Sequence, residues 1–371
     1  MANQQKIKLM IALPSLRCGG SEKYISMLCR HIDKDRFEVV LLLLNNESPF
    51  YDPGNEVTII NLGKPRARQA VLRIRDTVMK ERPDIFLSAA NHITVVMGLF
   101  RWMFPKKMVL LARESSLVSS NTRYARQPRL YRELLKRCYK KTDHIICQSE
   151  AMQEDLVRHF NVAASKTAVL HNPVEDTGYQ IPDTGSRVPD AGSTMPENEA
   201  FITVSRLSKE KAVAEILDAL ALLETPFIYH IIGDGPERAE LEKKSAAPGL
   251  QDKVRFHGQL AEPFHGMEQA GLFLMASTHE GFPNSLLEAG TLGIPAVAYD
   301  APGGISEIIQ EEVNGFLVKD RSAPALAAAI RKAINFPFDR ELIRTMTLEK
   351  YDISRHLTRL QNLLERYTGE K

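Results

Sequence analysis

Twelve short apolar runs, each of strand length, alternate with helix-spaced stretches along this chain, and the alternation is laid down twice. The first series occupies 7–13, 37–44, 57–60, 84–88, 108–112 and 144–148, and the second 201–204, 227–232, 254–257, 271–276, 295–299 and 315–318. Between the first two runs, Tyr24, Ile25, Leu28, Cys29 and Ile32 fall on one face of a helix. Strands separated by helices imply parallel, doubly wound sheets that take ligands at the carboxyl ends of their strands. Residues 174–198, rich in Pro, Gly, Asp, Ser and Thr without periodicity, read as a linker or mobile loop. The expectation is an α/β protein of two Rossmann-like doubly wound domains, 1–173 and 199–353, with a cleft between them. A chain of 371 residues is long enough for both cores.

Charge divides along the same boundary. Residues 1–173 carry 28 Lys and Arg against 16 Asp and Glu, and the remainder 20 against 30, which the formal net charge of +2 conceals. Cations gather at 64–75 (Lys64, Arg66, Arg68, Arg73, Arg75) and at 122–141 (Arg123, Arg126, Arg129, Arg132, Lys136, Arg137, Lys140, Lys141). The segment 99–107 joins Arg101, Lys106 and Lys107 to Leu99, Phe100, Phe104 and the single Trp102. This composition predicts contact with an anionic membrane surface; a solvated charged face with Trp102 in the core is the alternative. Nucleic-acid motifs and interleaved aromatics are missing, so no nucleic-acid partner is expected. Cys18, Cys29, Cys138 and Cys147 lack metal-like or disulfide-like spacing and read as reduced thiols. No run approaches the roughly 18 apolar residues of a spanning helix. The opening apolar run, followed by Gly19-Gly20, reads as a strand rather than a signal segment. A cytoplasmic location, peripheral on the inner face of the cell membrane, is expected.

The chemistry concentrates in His279-Glu280-Gly281-Phe282-Pro283-Asn284-Ser285-Leu286-Leu287-Glu288-Ala289-Gly290. The stretch follows an apolar run and turns into a helix, with Asn284 expected as its N-cap and Gly293 and Pro295 as its end. A strand-to-helix turn directs backbone N–H groups and a positive dipole end at a ligand, which suits an anion. Glu280 and Glu288 would repel that anion, but ionised carboxylates accept pairs of hydrogen bonds from sugar hydroxyls. Together these features fit a nucleotide-sugar; two solvated glutamates on a buried helix remain the alternative.

Glu280, Gly281-Phe282-Pro283-Asn284, Glu288-Ala289 and Gly293-Ile294-Pro295 resemble the E-x7-E signature of retaining glycosyltransferase family 4, which has the GT-B fold. The resemblance implies that Glu280 contacts the transferred sugar and Glu288 the nucleotide ribose, with Ser285 in the same donor loop. Ser205-Arg206-Leu207-Ser208-Lys209-Glu210-Lys211 resembles the family's Arg-x4-Lys pair, which puts Arg206 and Lys211 on the donor diphosphate. A bidentate Arg and a point-charge Lys suit a leaving group on which charge builds. Gly19-Gly20-Ser21-Glu22 resembles the family's Gly-Gly-x-Glu loop, where glycines let a phosphate or sugar approach the backbone. Gly303-Gly304-Ile305-Ser306-Glu307 matches a stretch near the donor, with a structural turn as an equal contender. Gly233-Asp234-Gly235-Pro236-Glu237 reads as architectural, and Phe256-His257-Gly258-Gln259 lies where the family holds the nucleotide base. By resemblance, the terminal helix, 354–371, crosses back to the first domain.

On the acceptor side the chain departs from the family, which commonly ends the strand at 109–112 with a His; here it reads Arg113-Glu114. Arg113, Glu114 and His92 are the candidates, with Glu114 able to take or hold the acceptor proton. Asp33-Lys34-Asp35 imitates a metal-holding D-x-D but sits between a helix and a strand, and no metal is assigned to it. The expected activity is retaining, metal-independent hexosyl transfer without a cofactor. The donor is a nucleotide-sugar, UDP-sugar ahead of GDP-sugar, and the acceptor a saccharide or lipid-linked saccharide in surface-polysaccharide synthesis. A nucleotide-sugar epimerase, a phosphorylase and a non-catalytic nucleotide-sugar sensor are the alternatives.

Overall fold

The computed structural model describes residues 6–123, 127–181 and 200–369. The chain divides into two units, one of Met1–Pro173 with Ile353–Lys371, the other of Val174–Asp352.

The first unit holds β1 (Ile7–Leu13), α1 (Gly20–His31), β2 (Phe37–Leu43), β3 (Thr58–Asn61), α2 (Ala67–Glu81), β4 (Ile85–Ser88) and α3 (Asn91–Leu99). It continues with β5 (Val109–Arg113), α4 (Val118–Thr122), α5 (Pro128–Lys140), β6 (His144–Cys147), α6 (Glu150–Phe160) and β7 (Thr167–Val169). Its strands pair in the order β3-β2-β1-β4-β5-β6-β7, all parallel. β1 alternates between two cores: Leu9, Ile11 and Leu13 pack on the α1 side, Met10 and Ala12 on the α2 and α3 side. That is why it reads as an unbroken apolar run. The three-residue β7 carried too little pattern to be read as a strand. The strand order reverses between β1 and β4, so their carboxyl ends open a crevice at the loops before α1 and α3.

The C-terminal helix, Ile353–Gly369, belongs to this unit. Leu357, Leu360, Leu364 and Tyr367 join the core with Tyr24, Leu28 and Ile32, each leucine contributing about 2 kcal/mol by burial. Tyr367 also stacks on His144, centroids 3.6 Å apart.

The second unit contains β8 (Ala200–Val204), α7 (Val213–Leu220), β9 (Ile228–Ile232), α8 (Arg238–Ser245), β10 (Val254–Gly258) and β11 (Leu272–Met275). It ends with α9 (Asn284–Thr291), β12 (Ala296–Tyr299), α10 (Ile305–Ile308), β13 (Gly315–Val318), α11 (Ala323–Ile334) and α12 (Arg340–Tyr351). The parallel order is β10-β9-β8-β11-β12-β13, reversing between β8 and β11. Of the segment expected to be a linker, 182–198 lies outside the described residues. Its beginning belongs to this unit: the Val174 amide donates to the Tyr351 carbonyl at 2.8 Å, beside the exit to the C-terminal helix.

Candidate active site

In the second unit, two pairs of loops pack so tightly that glycine is obligatory. A Cβ on Gly233 (φ +133) would fall 1.9 Å from the Ser205 carbonyl, and one on Gly235 2.3 Å from that of Leu207. The 233–235 turn is therefore the bed for the loop that carries Arg206, with Leu207 N–H bonded to Asp234 O at 2.9 Å. Arg206 itself is exposed, held by Glu210 and, at 3.3 Å, by the Ser208 hydroxyl. From there the chain turns through Ala212 in the left-handed region (φ +48) and starts α7. That turn aims Lys211 at Glu280: Nζ lies 2.5 Å from Oε1, and the Ser277 hydroxyl donates to the same oxygen at 2.6 Å.

Glu280 is buried, Lys211 half-buried. A carboxylate removed from water needs such partners. The Lys211 ammonium has three donors and gives one to Glu280, so it can still meet a phosphate. The end of β11 that presents Ser277 is clamped from below by Arg321. Its guanidinium donates to the Ala276 and Ser277 carbonyls at 2.6 and 3.1 Å and lies over the Tyr299 ring. Sequence spacing gave no sign of Arg321 or Ser277; both act through contacts made by the fold.

The second tight pair joins Glu280–Phe282 to Pro302–Gly304. The Glu280 amide donates to Pro302 O, and that of Gly304 to Gly281 O, both at 3.0 Å. A Cβ on Gly303 (φ +123) would lie 1.8 Å from the Glu280 carbonyl, and one on Gly304 2.4 Å from the Phe282 ring. Gly303-Gly304 is thus a packing requirement of the signature loop. Asn284 is the first residue of α9 instead of its cap; Pro283 occupies the cap position and has no side chain able to accept. Phe282 points into the core and meets Tyr351 edge-on at 5.5 Å. Gly281, Phe282 and Pro283 are buried, so what this loop can offer a ligand there is backbone; Asn284, Ser285 and Glu288 are half-buried along α9. His257 sits at a bulge in β10 before Gly258 (φ +70), its Nε2 2.9 Å from Nδ1 of His230. Burial and the neighbouring His257 hold His230 down at about 4, which keeps this pair from carrying two charges.

In the first unit, α1 begins at Gly20 after an extended Gly19. The carboxylate of Glu22 folds back over the glycines, and a Cβ on Gly19 would meet its Oε2 at 2.3 Å. The anion at this helix start is the chain's own, which tempers the expectation that Gly19 and Gly20 receive a phosphate. Arg113, a candidate for reaching an acceptor, is corrected outright: it is 2% exposed. Its guanidinium lies 3.6 Å from the centroid of the Tyr24 ring and donates to Asn172 Oδ1 at 2.6 Å. Tyr24 in turn meets His356 Nε2 at 2.9 Å, and His356 Nδ1 lies 2.9 Å from His171 O. Burial, with Arg113 nearby, holds His356 down at about 3, so it is neutral and ties the C-terminal helix to α1.

Glu114 is also buried, and burial raises its carboxyl to about 7 against the opposing hydrogen bonds of Tyr139 and Asn91 and the charge of Arg113. His92, in the first turn of α3, is exposed. Asp33 and Asp35 form a tight turn, the Asp35 amide on Asp33 Oδ1 at 2.9 Å; among the described residues no group of three His, Cys, Asp or Glu is disposed to hold a metal. Trp102 is 78% exposed rather than in the core. Arg126 lies outside the described residues. No described helix is long and apolar enough to cross a membrane.

Two family models match the chain: Glycosyltransferase Family 4 over residues 18–177 and Glycosyl transferases group 1 over 191–347. The N-acetylgalactosamine-N,N'-diacetylbacillosaminyl-diphospho-undecaprenol 4-alpha-N-acetylgalactosaminyltransferase of Campylobacter jejuni is 26% identical over 84% of this chain and 86% of its own. Sucrose-phosphate synthase from Thermosynechococcus elongatus is similar in structure, with a TM-score of 0.81 at 18% identity over 99% of this chain and 100% of that one. Anabaena HepE in complex with UDP-glucose gives 0.75 at 20% identity over 97% and 100%. The architecture is GT-B, two Rossmann-like domains.

Proposed function

Because the chain belongs to glycosyltransferase family 4, we propose that it moves a sugar from a UDP-sugar to a hydroxyl of a lipid-linked saccharide, with retention and without a metal, in surface-polysaccharide synthesis. The observation that carries this reading is the cluster of Lys211, Glu280 and Ser277 on the same loops as the exposed Arg206. Arg206, exposed and held by Glu210 and the Ser208 hydroxyl, would exchange those partners for a diphosphate, and Lys211 keeps donors for it beside the one it gives Glu280. Positive charge at the departing diphosphate then comes from side chains. Glu280, fixed through one oxygen, keeps its other for a donor-sugar hydroxyl, and Glu288 on α9 serves the ribose.

UDP is favoured by the ligand of HepE; a lipid diphosphate acceptor is favoured by the name of the Campylobacter relative. Exposed Trp102 and Leu99, flanked in sequence by Arg101, Lys106 and Lys107, support a peripheral position on anionic lipid. Incubation with UDP-glucose, UDP-galactose, UDP-GlcNAc and UDP-GalNAc, with octyl glycosides as acceptors, tests the reading. An α-linked product by anomeric proton coupling is expected. A β-linked product would overturn retention, and release of an epimerised free sugar would overturn transfer.

A further inference from the structure

At the carboxyl edge of the first unit's sheet, four side chains from three places converge: Glu114 just after β5, Asn91 at the start of α3, and Tyr131 and Tyr139 on α5. The two helices approach closely because Gly98 faces Cys138, where a Cβ would stand 2.6 Å from the cysteine Cβ. Every hydrogen bond in the group runs inward. Tyr139 donates to Glu114 Oε1 at 2.9 Å, and Asn91 Nδ2 to Glu114 Oε2 and to the Tyr139 oxygen, each at 3.3 Å. The Tyr131 hydroxyl donates to Asn91 Oδ1 at 2.8 Å. Glu114 and Tyr139 are buried, whereas Tyr131 is half-exposed and forms the outer end of the chain.

The direction follows from what each group can do. An ionised carboxylate only accepts, so it draws the Asn91 NH₂ inward and leaves the amide oxygen facing Tyr131. Tyr131 must then donate inward, and its lone pairs become its outer face. A protonated Glu114 needs an acceptor instead. Turning the Asn91 amide supplies one, sends NH₂ towards Tyr131, and obliges Tyr131 to donate outward.

We propose that Tyr131 receives the acceptor hydroxyl of the transfer reaction, and that Glu114 and Asn91 are positioning residues that keep its lone pairs facing that hydroxyl. This rests on the transferase reading above, in which the attacking hydroxyl must direct its proton at an acceptor group. Glu114 is too deeply buried to touch a substrate, so the relay explains how it can still matter. Around it stand Arg113 on β5, Tyr131 and Tyr139 on α5, Cys147 on β6 and Asp155 on α6. Burial and Asp155 raise its carboxyl while Tyr139, Asn91 and Arg113 oppose, to about 7, so the relay reverses in the neutral range.

The full chain labelled with ¹³Cζ-tyrosine, with Tyr131 assigned through Tyr131→Phe, reads the relay directly. The Tyr131 resonance should move with a midpoint near pH 7, and the movement should vanish in Glu114→Gln. No movement, or movement that survives Glu114→Gln, overturns the relay. With a UDP-sugar and an octyl glycoside as probes, Tyr131→Phe should lower kcat/KM for the acceptor about 10-fold, near the loss of one hydrogen bond, with the donor KM unchanged. Glu114→Gln should give a low, pH-independent kcat/KM resembling that of the wild type at pH 6. Unchanged acceptor kcat/KM in Tyr131→Phe overturns the acceptor role. A wild-type chain that binds UDP-sugars yet transfers to none of the probes removes the transferase reading instead, and the resonance titration still decides the relay.

Discussion

The two units handle charge at their sheet edges in opposite ways. In the second, Arg206 is exposed, Lys211 is half-buried with donors to spare, and Glu280 is pinned through one oxygen only. In the first, Arg113, Glu114 and His356 are buried and bonded to their own neighbours. One edge keeps its charges ready for a ligand; the other uses Arg113, Glu114 and His356 to brace α1, α3, α5 and the C-terminal helix. Chemistry by direct contact is expected on the first pattern, and positioning on the second.

The contrast breaks most readily at Glu280. Glu280→Ala should lower turnover about 10²–10³-fold while UDP affinity stays within about twofold, read by initial rates and calorimetry. A loss of affinity with turnover preserved at saturation would show that Glu280 merely holds the nucleotide. Next in size, Lys211→Ala strands a buried carboxylate and should cost about 3 kcal/mol in urea unfolding. Lys211→Met with Glu280→Leu should recover that stability and remain inactive, separating the pair's structural from its chemical role.

The bracing side should show itself in pH. His356 takes up a proton on unfolding below its ordinary 6.5 but, held at about 3 in the fold, not before. Its contribution is therefore complete above pH 6.5 and is lost as pH falls towards 3, by about 1.4 kcal/mol per pH unit at most. Glu114 has the opposite sign, its stability contribution fading as pH rises from 4.5 to about 7. The acid-side slope of urea stability below pH 4.5 should shrink in His356→Leu; an unchanged slope would remove His356 from the brace. Smallest in the fold, Trp102→Ala should change stability by no more than about 0.5 kcal/mol yet abolish flotation with anionic vesicles at low salt. Retained flotation would move the membrane contact elsewhere.

These differences explain what was legible in the sequence. All the strands but β7, and the parallel pairing of both sheets, followed from run length and alternation, because buried parallel strands must be apolar on both faces. Arg206 with Lys211, and Glu280 with Glu288, lie close in sequence; spacing left solvated charges as an alternative, and the resemblance to the family's Arg-x4-Lys and E-x7-E patterns singled them out. Gly303-Gly304 matched a pattern, but its reason, the Glu280 carbonyl at contact distance, exists only in three dimensions. Tyr131 and Tyr139 meet Asn91 across 40 and 48 residues, and His356 meets Tyr24 across 332; no local pattern encodes such pairs. The composition of 99–107 favoured a surface for Trp102 over the core, and its side chain is exposed.

The most direct test of the donor-side account is a thermal-shift panel of UDP, GDP, ADP, TDP and CMP, each with and without EDTA. UDP should stabilise the chain most, by about 2.7 kcal/mol at roughly 100 times its dissociation constant, equally with EDTA present and much less in Lys211→Ala. No shift with any nucleotide, or a shift that EDTA abolishes, would contradict a diphosphate held by Arg206 and Lys211.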